Sequence, residues 1–141
     1  MAINIFLDTN VLIDLFDPFR PEHKNAKKLF SLIETHQYSG FVSESVLSVS
    51  VYILGKQFSS AEIKVIIAEL LTLIDILPCS KKIFLEGLTL PGNDIEDAVL
   101  YQLSSDNNLD YFITENKKDF KKFLQPFLPV ISIKEFLTIN E

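Results

Sequence analysis

Tryptophan is absent from this 141-residue chain, and it carries one cysteine, two histidines and four glycines. A single cysteine, Cys79, cannot close an intramolecular disulfide. Two histidines and one thiol do not make a zinc-type cluster, and no Ser–His–acid or Cys–His arrangement is present. Four scattered glycines exclude a glycine-rich phosphate loop. Basic residues are in deficit, 13 against 19 acidic, so the net charge is -6. That balance excludes coating nucleic acid by bulk electrostatics, while a local basic rim or a basic protein partner stays compatible with it. Long hydrophobic runs are missing too. The most apolar helical stretch, around Val65 to Ile76, is interrupted by Glu69 and Asp75 and is too short to span a bilayer. The first residues lack the basic flank and cleavage site of a signal peptide. A cytoplasmic protein with no membrane contact is expected. Cys79, beside Leu77 and Pro78, is expected to be buried or half-buried, and His23 and His36 to lie on the surface.

What the chain does have is a hydrophobic share of 48% beside 23% charged residues. With no linker, repeat or low-complexity tract, it reads as one domain over residues 1–141. Its organising stretch is Ile3 to Asp14. Ile3, Ile5, Phe6 and Leu7 form the apolar run of a strand buried on both faces. Asp8 follows at once, then the turn-and-cap residues Thr9 and Asn10, then Val11, Leu12 and Leu15 at helical spacing. This order places a carboxylate at the end of a central strand, where open α/β sheets form ligand sites. Asp14, one turn on, reads as a surface or supporting acid.

Downstream, Asp17 to Pro21 makes a break, with Pro21 suited to open the next helix. Ala26, Leu29, Phe30 and Ile33 mark that helix's buried face. Tyr38-Ser39-Gly40 reads as a turn into a short strand, Phe41-Val42-Ser43. A helix from Glu44 to about Lys56 is apolar all round, which implies burial between neighbours. Ser59 with Glu62 forms a capping box for a helix with Ile63, Ile67, Leu70, Leu71 and Ile74 inward. A brief strand over 75–78 and a helix from Lys81 to Leu88 follow. Pro91-Gly92-Asn93 stops the chain before a helix opening at Asp94, with Ile95, Ala98, Val99 and Leu103 apolar. Next come a strand over Tyr111 to Thr114, a lysine-rich helix with Phe120, Phe123 and Leu124 inward, a strand at Pro129-Val130-Ile131, and a terminal helix capped by Ser132 with Glu135. Strands alternating with helices predict a three-layer α/β/α sandwich around a mostly parallel sheet.

Asp8, Glu44, Asp94, Glu96, Asp97 and Asp119 all fall where strands end or helices begin, junctions that converge on one sheet edge. Clustered carboxylates repel unless a cation sits among them. Oxygen donors without a His or Cys cluster select Mg²⁺ or Mn²⁺ over zinc, and such an ion suits metal-assisted phosphodiester hydrolysis. Asp94 doubles as the natural helix cap, and Glu44 as a helix-start residue. Asn10 is placed to orient Asp8 or the attacking water. It also removes the second acid that a haloacid-dehalogenase-type phosphatase needs two residues on. Lys117, Lys118, Lys121 and Lys122 form either a solvated face or a basic rim for an RNA backbone beside Asp119.

Three segments, Leu7 to Asp14, Ile95-Glu96-Asp97-Ala98 and Phe112 to Phe120, resemble the PIN-domain ribonucleases, especially VapC-type toxins of toxin–antitoxin pairs. The resemblance runs along nearly the whole chain. It implies a sheet of about five parallel strands and a Mg²⁺-dependent endoribonuclease that leaves a 5′-phosphate and a 3′-hydroxyl. It carries metal-binding roles onto Asp8, Asp97 and Asp119, and supporting roles onto Thr114 and Asn116. RNA as substrate, a cognate antitoxin and a homodimer are implied in the same way. One position departs from the pattern. The second acid usual in the helix after the second strand is replaced by Val49, and Glu44, five residues earlier, does not stand in for it on a helix turning 100° per residue. That departure keeps open a non-catalytic PIN-like module binding RNA or protein.

Overall fold

The fold was read from a computed structural model, which describes residues 2–123 and 127–140. It is built on five strands: β1 (Ile3–Leu7), β2 (Tyr38–Ser43), β3 (Ile74–Leu77), β4 (Tyr111–Ile113) and β5 (Val130–Ile131). All pair in parallel, in the order β3-β2-β1-β4-β5. β1 lies in the middle, and Ile5, Phe6 and Leu7 are wholly buried, as an apolar run covered on both faces requires. Among the described residues six α-helices lie between the strands, α1 (Thr9–Phe16), α2 (His23–Glu34), α3 (Glu44–Leu54), α4 (Ser60–Leu70), α5 (Lys81–Gly87) and α6 (Ile95–Asp106), and α7 (Ile133–Ile139) follows β5. A 3₁₀ helix spans Lys117–Phe123.

The strand order decides where a site can form. From β1 through β3 the chain winds in one direction; it then crosses to the other side of β1 to lay down β4 and β5. Right-handed crossovers therefore divide the helices between two layers, with α1 packed on α2 and α3, and α6 packed on α5 and the 3₁₀ helix. The winding reverses between β1 and β4, and the crevice at their carboxyl ends is the topological switch point. Phe6 and Phe112 stack there across the strand pair, with ring centroids 5.0 Å apart. The predicted three-layer, parallel architecture is the one observed.

Local expectations differ from the structure in several places. Tyr38-Ser39-Gly40 belongs to β2 rather than to a turn. Gly40 is there because a Cβ at that point would come within 2.8 Å of Ile74 Cγ2 on the neighbouring strand, so the turn-like residue is a packing requirement. Ile74 opens β3 instead of closing α4. Pro21 lies in the turn before α2, which starts at His23. α3 is not enclosed: Val46, Leu47, Ser50 and Leu54 are buried, while Val51 and Tyr52 face outward. Ile95, expected to be core, is exposed in the first turn of α6. The lysine-rich segment is a 3₁₀ helix, in which Phe120 and Phe123, three residues apart, eclipse on one side and are both buried. Leu124 lies outside the described residues. Cys79 is exposed, because the segment after β3 runs over the surface. His36 is exposed as expected; His23 is half-buried, its Nδ1 2.8 Å from the Asp14 carbonyl oxygen. Among the described residues no helix is long and apolar enough to cross a membrane.

Candidate active site

Asp8 leaves β1 with its backbone N–H still on the sheet, donating to the Ile113 carbonyl at 3.1 Å. Its side chain caps α1: Oδ1 accepts from Thr9 N at 2.8 Å. Oδ2 accepts from the Thr114 hydroxyl, also at 2.8 Å. That hydroxyl accepts in turn from Asn10 Nδ2 and from Asn116 N, both at 3.1 Å. A hydroxyl has one proton and two lone pairs, so the hydrogen-bonding capacity of Thr114 is fully used. Asn10 closes the ring, with Oδ1 accepting from Glu115 N at 3.1 Å. Thus Asp8 at the end of β1 is held in one orientation by the residues just past β4.

Asp94 caps α6, its Oδ1 accepting from Asp97 N at 2.9 Å. The cap fixes the first turn of α6 and so presents Glu96 and Asp97. Asp119 sits in the first turn of the 3₁₀ helix, and its N–H donates to the Asn116 carbonyl at 3.0 Å. These segments meet at an open cleft of about 370 Å³. Its acidic lining is Asp8, Asp94, Glu96, Asp97 and Asp119, with Thr9, Asn10 and Asn116 between them. A second, less polar stretch of lining comes from Ile13, Val49, Ile53 and Arg20.

The carboxylates perturb one another. Burial raises the Asp8 pKa, the hydrogen bonds from Thr114 and Thr9 pull it back, and the charges of Asp94 and Asp119 push it up. Asp97 is pushed up to about 8, first by desolvation, then by the charges of Asp94 and Asp8, by its hydrogen bond to Asp94, and by Asp119. Glu96 is raised by desolvation and by Asp94 and Asp8. Even so, no three acidic, histidine or cysteine side chains among the described residues are gathered tightly enough to clasp a single ion. The acids ring an open cleft. That arrangement suits a hydrated hard cation, which uses one or two carboxylates and keeps several waters.

Glu44 is not part of this cleft. It is exposed at the start of α3 and lines a separate hollow of about 470 Å³ with Ile76, Leu77 and Phe84. Five residues of helix, at 100° each, turn its position roughly 140° away from that of Val49, which does line the cleft. The lysines divide. Lys117 Nζ pairs with Glu135 Oε1 at 2.6 Å, Lys118 and Lys122 line a neighbouring hollow with Asp94 and Asp119, and Lys121 is exposed. Asp14, read as a surface or supporting acid, is not at the surface: it is buried at 2% exposure, with Oδ1 2.7 Å from Arg20 Nε. Thr9, Ile13, Ile53 and Arg20 are cleft residues that sequence reasoning missed. Only a basic residue between two prolines, six positions after Asp14, hinted at Arg20.

The family model described as PIN domain matches residues 4–118, from β1 into the 3₁₀ helix. The chain belongs to the PIN-domain family. Among curated proteins it is similar to Ribonuclease VapC1 of Aquifex aeolicus (strain VF5), at 23% identity over 140 residues, covering 94% of this chain and 92% of that protein. Solved structures share the fold. The VapBC2 complex of Rickettsia felis, bound to a DNA fragment from its promoter, matches with a TM-score of 0.66 at 20% identity, covering 92% of this chain and 98% of the other. A toxin–antitoxin complex from Klebsiella pneumoniae gives 0.66 at 23% identity, with coverages of 88% and 94%. Mycobacterium tuberculosis VapC20, described as a Sarcin-Ricin loop cleaving toxin, gives 0.61 at 15% identity, with coverages of 77% and 86%. Across this PIN-domain scaffold the acid cleft occupies the switch point between β1 and β4.

Proposed function

We propose that this PIN-domain protein is a Mg²⁺- or Mn²⁺-dependent endoribonuclease, the toxin of a toxin–antitoxin pair. The observation that carries the reading is the meeting of Asp8, Asp97 and Asp119, from three distant stretches of sequence, at one cleft. The likeness to a VapC ribonuclease and to toxin–antitoxin complexes supports the same class of activity and partner. Asp8 and Asp97 are the residues that would hold the cation, with Asp119 as a further acid. The donor set is all oxygen, and the mutual repulsion that raises Asp8 and Asp97 is what a divalent charge relieves.

Bound there, the cation supplies a water of lowered pKa and stabilises charge on the phosphate and departing oxygen. The chain's own residues do the positioning. Thr114 and Thr9 hold the two oxygens of Asp8, so little reorganisation remains when substrate arrives. Asn10 locks Thr114 and the 114–116 corner onto α1. Burial and the neighbouring acids hold the Asp97 proton up to about 8, and a cation held there would favour its charged form. Asp94 keeps α6 in register by capping it. A small basic antitoxin and a second copy of the chain are the proposed protein partners, the first compatible with the net charge of -6.

Val49 in the cleft favours a second reading, a PIN-like module that binds without cutting. One experiment separates the two. RNA cleavage in Mg²⁺ or Mn²⁺ is compared for the parent and Asp8→Asn, alongside the melting shift on adding Mn²⁺. Cleavage by the parent that Asp8→Asn abolishes supports the nuclease. Equal cleavage by both proteins would falsify the assignment. No cleavage and no Mn²⁺-induced shift in the parent leaves the binding module.

A further inference from the structure

The short turn between α1 and α2 carries two side chains, Phe19 and Arg20, that the fold leaves largely uncommitted. Arg20 lines the acid cleft and is the one cation among its lining residues. It reaches the buried Asp14 carboxylate through Nε alone, at 2.7 Å, with its side chain 39% exposed. Asp14 Oδ2 is buried and has no hydrogen-bond partner, so the two-pronged contact open to a guanidinium is not made. Among the described residues nothing accepts from the two terminal nitrogens of Arg20. Beside it stands Phe19, 95% exposed, an apolar ring left in solvent. The turn itself is well fixed: Asp17 N donates to the Ile13 carbonyl, Phe19 N to Asp17 Oδ1, and Arg20 N to the Asp17 carbonyl.

We infer that this turn is the strand-gripping element of the cleft, with Arg20 binding a backbone phosphate of single-stranded RNA and Phe19 stacking on an adjacent base. The inference deepens the nuclease reading and rests on it for the identity of the strand. A phosphate entering a cleft lined by five carboxylates gains from a cationic contact on the protein in addition to the proposed cation. Arg20 is placed to give one, its charge held in position by Asp14 and its terminal N–H groups free among the described residues. Ile13, Val49 and Ile53 line the same cleft and add no further negative charge. Ile13 stands five residues along α1 from Asp8, roughly 7.5 Å at the helical rise. Arg20 and the acids line the same cleft, so a strand lying in it can reach both. An exposed ring next to a phosphate-binding arginine is the pairing that single-strand binding proteins use, because every base has a π-face.

The test uses the full chain and two probes. RNA cleavage gives KM and kcat, and anisotropy of a fluorescein-labelled mixed-sequence single-stranded DNA gives binding without cleavage across a salt series. Arg20→Gln is expected to raise KM and weaken binding about tenfold, and to reduce the slope of log affinity against log salt by about 0.7, one phosphate contact. Arg20→Lys keeps the slope and carries the test if Arg20→Gln does not fold. Phe19→Ala, at an exposed site, is expected to weaken binding about fivefold or more with the slope unchanged. Unchanged KM and salt slope in Arg20→Gln, with the parent active, overturn the inference and leave the nuclease reading standing. A parent that cuts no RNA, while Arg20→Gln still loses the slope, overturns the nuclease reading and keeps the turn as a nucleic-acid contact. If Phe19→Ala changes the oligomeric state and not the binding, the ring belongs to a protein interface and the stacking role is overturned.

Discussion

Two corners of the same sheet edge lie side by side and differ in kind. At the carboxyl ends of β1 and β4, Asp8, Asn10, Thr114 and Asn116 form a closed hydrogen-bonded ring beneath a cleft lined by acids. One strand over, at the ends of β2 and β3, Ser43 caps α3, Glu44 is exposed, and the hollow beside them is walled by Ile76, Leu77, Phe84 and Val99. Both corners offer a carboxylate just after a strand. What separates them is topology: only the first lies where the winding reverses, and there the remote segments that meet each bring an acid, whereas those around Glu44 bring apolar side chains. A carboxylate after a strand becomes a site residue through what the fold brings to meet it.

The contrast is sharpest in activity. Asp97→Asn is expected to reduce RNA cleavage by at least about 100-fold, the scale of losing one preorganised electrostatic contact. Single-turnover cleavage at saturating Mg²⁺ measures it, and a loss of only a few-fold would remove Asp97 from the chemistry. Next in size is stability at the two strand ends. Thr114→Val strands a buried Asp8 oxygen and two donors, and is expected to cost about 2 kcal/mol in denaturant unfolding. Ser43→Ala removes an ordinary helix cap, worth about 1 kcal/mol. Equal costs would mean that the ring around Thr114 is no more than a cap.

A third test uses pH. The unfolded chain releases the Asp97 proton near its ordinary value of about 4, whereas the folded, metal-free protein holds it to about 8. Over that window the native state binds more protons, so stability falls as pH rises. Solvent screening at this half-exposed group limits the drop, on the order of 3 °C in melting temperature between about pH 5.5 and 8. Asp97→Asn should flatten the profile, and an unchanged slope in that variant would place the titration elsewhere. The smallest effect belongs to the other corner: Glu44→Gln should leave cleavage within about twofold of the parent, as expected for an exposed surface change. A large loss there would erase the distinction between the corners.

How much of this was legible in the sequence varies with the physics involved. The parallel sheet was readable because β1 is a continuous apolar run and the helices between strands keep their spacing. Tyr38 to Gly40 was misread because a glycine that serves close strand packing looks, in one dimension, like a glycine that serves a turn. The acids of the cleft were findable from their places at element ends, and all but Glu44 line it. Arg20 and the burial of Asp14 were not findable. Their pairing depends on how the loop after α1 folds back, and no periodicity records that.

The link from residue 8 to residue 114 also orders events in time. A ribosome making this chain completes Asp8 early, yet the hydroxyl that orients it arrives more than a hundred residues later. Until β4 joins β1, the nascent polypeptide has no assembled cleft, so whatever chemistry the cleft performs has to wait for residue 114.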